Sequence, residues 1–385
     1  MKLTFCTVAA AMLAACAGAS AAWVEPKPAL PTNFTIGLQA AAEIDAHDYA
    51  LAAQAGFNLV LPSRPGMQYN QALLAAAEAA GIKAVVWDPR MSTYDLGDAW
   101  LRGLAFNEYR RSKAVSGYML NDTITVPPAR LTPLGWRIRD FLNAAPQSFC
   151  YCEATPPSDF QSNAAYRRYM RRFLHSGIGF AAYEEDAPFS AAALGNMKAV
   201  SEICQAGGKP WWRRCRLADA TPAMIRWQAY SAAAAGARGV IYLAARPLGE
   251  SRPDSLLDAG GKPSAAYEAA KLTNARLAAL GPILMASRSV ALCRVGSVPG
   301  ELSTIAGSLV ESVTSDAEDD GFVVGLLADG DTRYALVVRK PSAADKPALV
   351  SVKLGEGKAT VVETGQPLDG PLSLLPGEGQ LLRIR

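Results

Sequence analysis

Three stretches of the chain rhyme. They are "ALAAQAGFNLVLP" from Ala50, "LLAAAEAAGIKAVVWDP" from Leu73 and "AYSAAAAGARGVIYLAARP" from Ala229. Each is an Ala-rich run, a Gly, two residues and then a short apolar run. Ala favours helix, and a Gly at the end of a helix takes the left-handed conformation that other residues resist. A strand that is apolar throughout is buried on both faces, as in a parallel sheet covered by helices. Helix, Gly and buried strand in repetition predict a wound α/β fold.

The same texture marks eight strand segments: Phe34–Gln39, Phe57–Pro62, Lys83–Asp88, Val115–Asn121, Ser148–Glu153, Gly177–Tyr183, Pro210–Cys215 and Gly239–Ala244. Helical segments such as Asn163–Leu174 and Ala191–Gln205 lie between most of them. Eight parallel strands with helices, over about 250 residues, predict a (β/α)8 TIM barrel. A doubly wound open sheet is the alternative, but no G-x-G-x-x-G or Walker motif follows the first strand.

A helix at Ser264–Leu280 ends this region, and the texture then changes. "GFVVGLLA", "TRYALVVRK", "ALVSVKL", "KATVVET" and "GQLLRIR" are short strands separated by Gly, Asp and Pro turns. They predict a small all-β sandwich. The expected organisation is a signal segment at 1–21, a barrel at 30–287 and a sandwich at 288–385.

The chain has 385 residues, half of them hydrophobic, and a formal net charge of +3. With no long basic run, that charge argues against a nucleic-acid partner. At the N-terminus Lys2 precedes an apolar stretch, Phe5–Ala15, too short for a mature membrane span, which reads as a secretory signal. "LAAC", Leu13–Cys16, resembles the bacterial lipobox and would place a lipid on Cys16, with Ala17 favouring the outer membrane. "ASA", Ala19–Ala21, would suit ordinary signal peptidase. Either way the chain is expected to be exported from a Gram-negative-type cell, to the periplasm or the outer membrane, with a lipid anchor as its membrane contact if the lipobox is used.

Beyond Cys16 stand Cys150, Cys152, Cys204, Cys215 and Cys293. Export permits a disulfide, and Cys204–Cys215 is the expected pair. Cys150 and Cys152 share one face of a strand and read as buried thiols. Nothing has zinc-ligand spacing, and only His47 and His175 are available for His-centred catalysis. The reading calls for no cofactor and no metal.

In a barrel the active site lies at the C-terminal ends of the strands. Those ends carry Ser63 and Arg64; Trp87, Asp88 and Arg90; Asn121 and Asp122; Glu153; Tyr183, Glu184, Glu185 and Asp186; and Trp211, Trp212, Arg213 and Arg214. Two opposed carboxylates are what glycoside hydrolysis needs. Trp faces suit sugar rings, and Arg or Asn can bind hydroxyl or acidic groups. Asp122, Glu153 and Glu185 are the catalytic candidates. Trp87, Trp211, Arg64, Asn121, Tyr183 and Glu184 are the candidates for substrate binding. Each has a structural rival: a cap for Asp122, an Arg partner for Glu153, a solvated acid run for Glu184–Asp186, a turn for Asp88. Adjacent Trp211 and Trp212 must face opposite ways on a strand, so one of them is core.

Gly117-Tyr118-Met119-Leu120-Asn121-Asp122-Thr123-Ile124 is similar to a family pattern G-Y-Y-L-x-D-E-P. Tyr183-Glu184-Glu185-Asp186-Ala187-Pro188 is similar to Y-D-x-Y-P, and "RWQAYSAAAAGARGVIYLAARP" to R-x-Q-x-Y…G-A-x-G-I-x-Y-F. On these motifs the chain resembles the secreted TIM-barrel glycoside-hydrolase-like proteins of Gram-negative bacteria, distant relatives of the clan A and β-galactosidase barrels. The resemblance implies action on a poly- or oligosaccharide through a carboxylate pair. It also shows a departure. The Glu of D-E-P, the general acid in the resemblance, is Thr123 here, and a Thr does not donate a proton as a carboxylic acid does. A non-catalytic carbohydrate-binding protein on the same barrel is therefore the rival expectation, and an envelope scaffold is a third.

Overall fold

The computed structural model describes residues 31–92, 99–121, 125–175, 181–183, 187–217, 221–243, 245–246, 255–305, 309–318 and 320–385. Its first part is one ten-stranded parallel sheet: β1 (Thr35–Gln39), β2 (Leu59–Leu61), β3 (Lys83–Val86), β4 (Val115–Met119), β5 (Thr125–Val126), β6 (Phe149–Tyr151), β7 (Glu153–Ala154), β8 (Ala181–Tyr183), β9 (Trp211–Cys215) and β10 (Gly239–Tyr242). The order is β5-β7-β8-β9-β10-β1-β2-β3-β4-β6. A strand lies in each of the eight expected segments. The fifth segment is split in two by Cys152: β6 pairs with β4, whereas β7 pairs with β5 and β8.

The helices α1 (Ala46–Gln54), α2 (Met67–Ala79), α3 (Pro89–Ser92), α4 (Ala99–Tyr109), α5 (Leu131–Ala144), α6 (Asn163–His175), α7 (Ala191–Ala206), α8 (Pro222–Ala234) and α9 (Ala265–Ala286) connect the strands and follow the last of them. The glycines of the rhyming stretches do what their position requires. Gly56, Gly81 and Gly236 follow α1, α2 and α8 with φ of 76°, 72° and 85°, a region open to Gly at little cost.

Alternation along the strands sorts the side chains into two layers. Leu59, Leu61, Val85, Trp87, Met119, Phe149, Tyr151, Trp212 and Ile241 form one apolar cluster on the inner face of the curled sheet. Their neighbours Val60, Ala84, Val86, Tyr118, Cys150, Trp211, Val240 and Tyr242 belong to the core shared with the helices. The inner layer is filled by large rings, and Gly117 makes room for one of them. A Cβ there would stand 2.8 Å from the Phe149 ring.

The remaining strands form two further sheets. A six-stranded sheet contains β11 (Arg288–Gly296), β12 (Ser303–Thr304), β14 (Gly321–Asp329), β15 (Thr332–Arg339), β17 (Ala359–Val361) and β19 (Gly379–Ile384). A three-stranded one contains β13 (Val310–Ser315), β16 (Ala348–Leu354) and β18 (Leu372–Leu374). Val310, Val313, Val350 and Leu374 of the small sheet share a core with Phe322, Val324, Val337 and Leu382 of the large one. The other face of the large sheet, with Val323, Leu327, Tyr334, Leu336 and Leu381, joins the core of the first part.

The expected Cys204–Cys215 disulfide is corrected. Among the described residues Cys150, Cys152, Cys204, Cys215 and Cys293 are all buried, and none is in a disulfide. Cys204 lies on α7 and Cys215 at the end of β9, and burial pushes the Cys204 thiol well above its ordinary value. Both act as small apolar side chains. No helix among the described residues is long and apolar enough to cross a membrane.

Candidate functional site

The strand-end face is built by the residues that end β1 to β10. At the end of β6–β7, Tyr151 and Glu153 lie two apart and so share the inner face; on β9, Trp212 and Arg214 do the same. The rings of Tyr151 and Trp212 are 6.2 Å apart. One step further toward the strand ends, Glu153 accepts a 2.6 Å hydrogen bond from the Tyr151 hydroxyl and pairs with the Arg214 guanidinium. Glu153 is 4% exposed. Both of its oxygens accept, Oε1 from Tyr151 and Oε2 from Arg214, which orients the carboxylate. That suits a nucleophile or an electrostatic partner.

Trp87 and Asn121 close the neighbouring strand ends. The Trp87 indole N–H donates to the Asn121 carbonyl at 2.9 Å. Asn70 brackets the Trp87 backbone, donating to its carbonyl at 2.8 Å and accepting from its N–H at 3.1 Å. The Asn121 side-chain amide donates to the Thr125 carbonyl at 3.1 Å, and the residue is fully buried. Trp87 and Asn121 are thus held in the packing of the strand-end face.

Trp211 is buried too. It is 2% exposed and packs in the helix-facing core, on the opposite side of β9 from Trp212, which is as deeply buried on the inner face. Neither ring is free to stack on a sugar. Arg64, at the end of β2, is different. It is exposed, and its guanidinium lies over the Tyr69 ring, 5.0 Å from the centroid. The Tyr69 hydroxyl is fixed by donating to the Ala41 carbonyl at 2.8 Å.

Asp88 stands at the end of β3 but serves the structure. It accepts from Arg90 at 2.8 and 3.0 Å and from the Tyr109 hydroxyl at 2.5 Å, and is 1% exposed. Burial alone would raise its pKa, but the bonds from Arg90 and Tyr109 outweigh it and hold the carboxyl below its usual range.

Asp122, Glu184 and Glu185 lie outside the described residues, as do Thr123, Asp186 and Cys16; Tyr183 is described as part of β8 only. The structure therefore brings together Glu153, Arg214 and Tyr151 at one point and leaves Arg64 at the rim. The sequence signalled that Tyr151 shares a face with Glu153, and Trp212 with Arg214, through the two-residue spacing in "YCE" and "WRR", but not that the two strands bring Glu153 and Arg214 together.

No protein-family model matches the sequence, and no curated protein matches it. Solved structures do. Amy13B of Eubacterium rectale superposes with a TM-score of 0.50 at 11% identity, over 94% of this chain and 97% of that one. A family 51 alpha-L-arabinofuranosidase of Bifidobacterium longum gives 0.47 at 10% identity over 94% and 97%. Xylanase 10B of Thermotoga maritima gives 0.42 at 11% identity over 64% and 97%. At such identities the likeness to Amy13B speaks for the fold alone. The chain shares with Amy13B a fold of a curled parallel sheet, helices and further β-sheets.

Proposed function

We propose that this chain is an exported glycoside hydrolase-like protein acting on a poly- or oligosaccharide at the strand-end face. In this reading β6 and β7 are one strand interrupted at Cys152, and β4 and β5, which pair with them in turn, are likewise one, so the ten segments close into an eight-stranded barrel at 30–287, followed by a β-sandwich at 288–385. The observation that carries the reading is the Glu153–Arg214–Tyr151 group, an oriented carboxyl group facing inward at the strand ends of a glycosidase-like fold.

Such a carboxyl group can serve as nucleophile or base, but hydrolysis also needs a proton donor. The neighbouring strands offer the candidates: β4 pairs with β6 and is followed by Asp122, while β8 pairs with β7 and is followed by Glu184 and Glu185. Asp122 is the first choice, with Glu185 its rival, and Arg64 contacts the glycan at the rim. In a screen of oligosaccharides against the purified mature chain, Asp122→Asn should lower kcat by about 10²–10⁴-fold while leaving the melting temperature unchanged. Undiminished turnover would remove Asp122 from the mechanism.

A second reading rests on Thr123 and on the near-complete burial of Glu153: a glycan-binding protein without turnover. It expects glycan binding with no product released, weakened by Arg64→Ala. Trp87 and Trp211 cannot serve this test, because truncating either would open a core cavity.

The N-terminal segment completes the proposal: export, lipidation at Cys16 and retention at the outer membrane. Cys16→Ser should move the protein from the membrane to the soluble periplasmic fraction. A membrane fraction unchanged by the substitution would exclude the lipid anchor.

A further inference from the structure

At the opposite, N-terminal end of the strands lies a concavity of about 300 Å³ between α7, the starts of β9 and β10, and the α9–β11 junction. It is independent of the strand-end reading above. Its lining includes Lys209, Arg238, Arg288, Ser201, Ser289 and Gln205, and no carboxylate among the described residues. Like charges gathered in one hollow repel each other, and folded proteins usually relieve this with acids. Among the described residues no Asp or Glu pairs with any of the three cations. Glu202 of α7 pairs with Arg167 and Lys198 instead.

Arg238 is the most constrained of the three. It is half-buried, its Nη2 donates to the Ser287 carbonyl, and its Nη1 is buried with no hydrogen-bond partner. A buried charged donor left unmatched is destabilising. Desolvation accordingly pulls this guanidinium below its ordinary pKa. Lys209 is half-buried and Arg288 is exposed at the mouth. A planar guanidinium fork and an ammonium point charge around a hollow, with hydroxyls beside them, are the donors that bind a tetrahedral oxyanion.

We propose that Lys209, Arg238 and Arg288 form a binding site for a phosphate or sulfate group, with room beside it for the organic part of an ester. The test is calorimetric titration of the mature chain at fixed ionic strength in chloride, with inorganic phosphate and with glycerol 3-phosphate as probes. Inorganic phosphate should bind, and Lys209→Ala with Arg288→Ala should weaken it about tenfold or more. Arg288→Glu, a reversal at an exposed position, should do the same without lowering the melting temperature. Equal affinity for the two probes would assign the free ion, and a tighter ester would assign an ester ligand. Co-sedimentation with phosphatidic acid vesicles, lost in the double variant, would assign a lipid headgroup. No heat at about 10 mM phosphate, well above useful affinities, or heat unchanged in the double variant, would overturn the site.

Discussion

At the scale of single residues the chain keeps its most consequential charge out of water. Glu153 and Arg214 have side chains 5% and 11% exposed, so the pair is desolvated, and removing one member takes a close charged partner from the other. Glu153→Gln should therefore cost about 3–5 kcal/mol of stability. The double change Glu153→Gln, Arg214→Met should cost much less, because no charge is left buried. Urea unfolding of both variants measures this, and equal losses would show that the pair is not the buried ionic unit described here. The contrast between Glu153 and Trp211 also shows what could be read in advance. That Trp211 and Trp212 face opposite sides follows from the period of a strand. Which side is inner depends on a register that one residue of slip would reverse. An Arg partner for Glu153 was foreseeable as a rival to catalysis. Its identity was not, because the partner comes from two strands away across the sheet.

Among elements, the helix–Gly–strand units were legible because three local signals agree in them: Ala for helix, Gly for its end and an unbroken apolar run for a buried strand. The split at Cys152 was not, since "FCYCEA" has the composition of one continuous strand. Nor were β11 and β13 foreseen. "RSVALCRVG" and "VESVTS" have mixed patterns, because their burial is set by which sheet they join. The helix expected at Ser264–Leu280 starts where its N-cap predicts, with Ser264 accepting from the Tyr267 N–H, but runs on to Ala286 through Pro282. A close approach between elements makes a second prediction. On β14, a Cβ at Gly325 would run into the Ala234 carbonyl at the end of α8, which is backbone and cannot turn aside. Gly325→Ala should cost about 3 kcal/mol, as overpacking does at its upper range. Gly370→Ala, where a Cβ meets nothing within 4 Å, should be neutral or slightly stabilising. Equal melting temperatures for the two variants would mean that α8 and β14 are not in this contact.

For the whole molecule, the same contact decides how independent its two parts are. The sequence texture changes near residue 288, which invites the reading of a separable C-terminal module. Yet the large sheet is buried on both faces: β14 is buried from Gly321 to Ala328, and β15 from Tyr334 to Arg339. One face needs the small sheet, and the other needs α8. Gly379 packs against the Tyr230 ring, where a Cβ would stand 2.7 Å away. The Arg226 guanidinium donates to the Pro376 carbonyl at 2.8 Å and pairs with Asp345, and Arg276 pairs with Glu378. Stripping the sheet from α8 would expose Val323, Leu327, Leu336 and Leu381 together, at about 1.5–3 kcal/mol for each side chain. Neither part is then expected to persist when the other unfolds. All seven Trp residues lie at or before Trp227, so Trp fluorescence reports only the first part, while far-UV circular dichroism also sees the β-sheets of the second. In guanidinium the two signals should show one transition with a common midpoint. A chain cut after Ser287 should fail to give that transition at all. Two separated midpoints, or a cut chain that unfolds cooperatively, would show that the shared core does not couple the two parts.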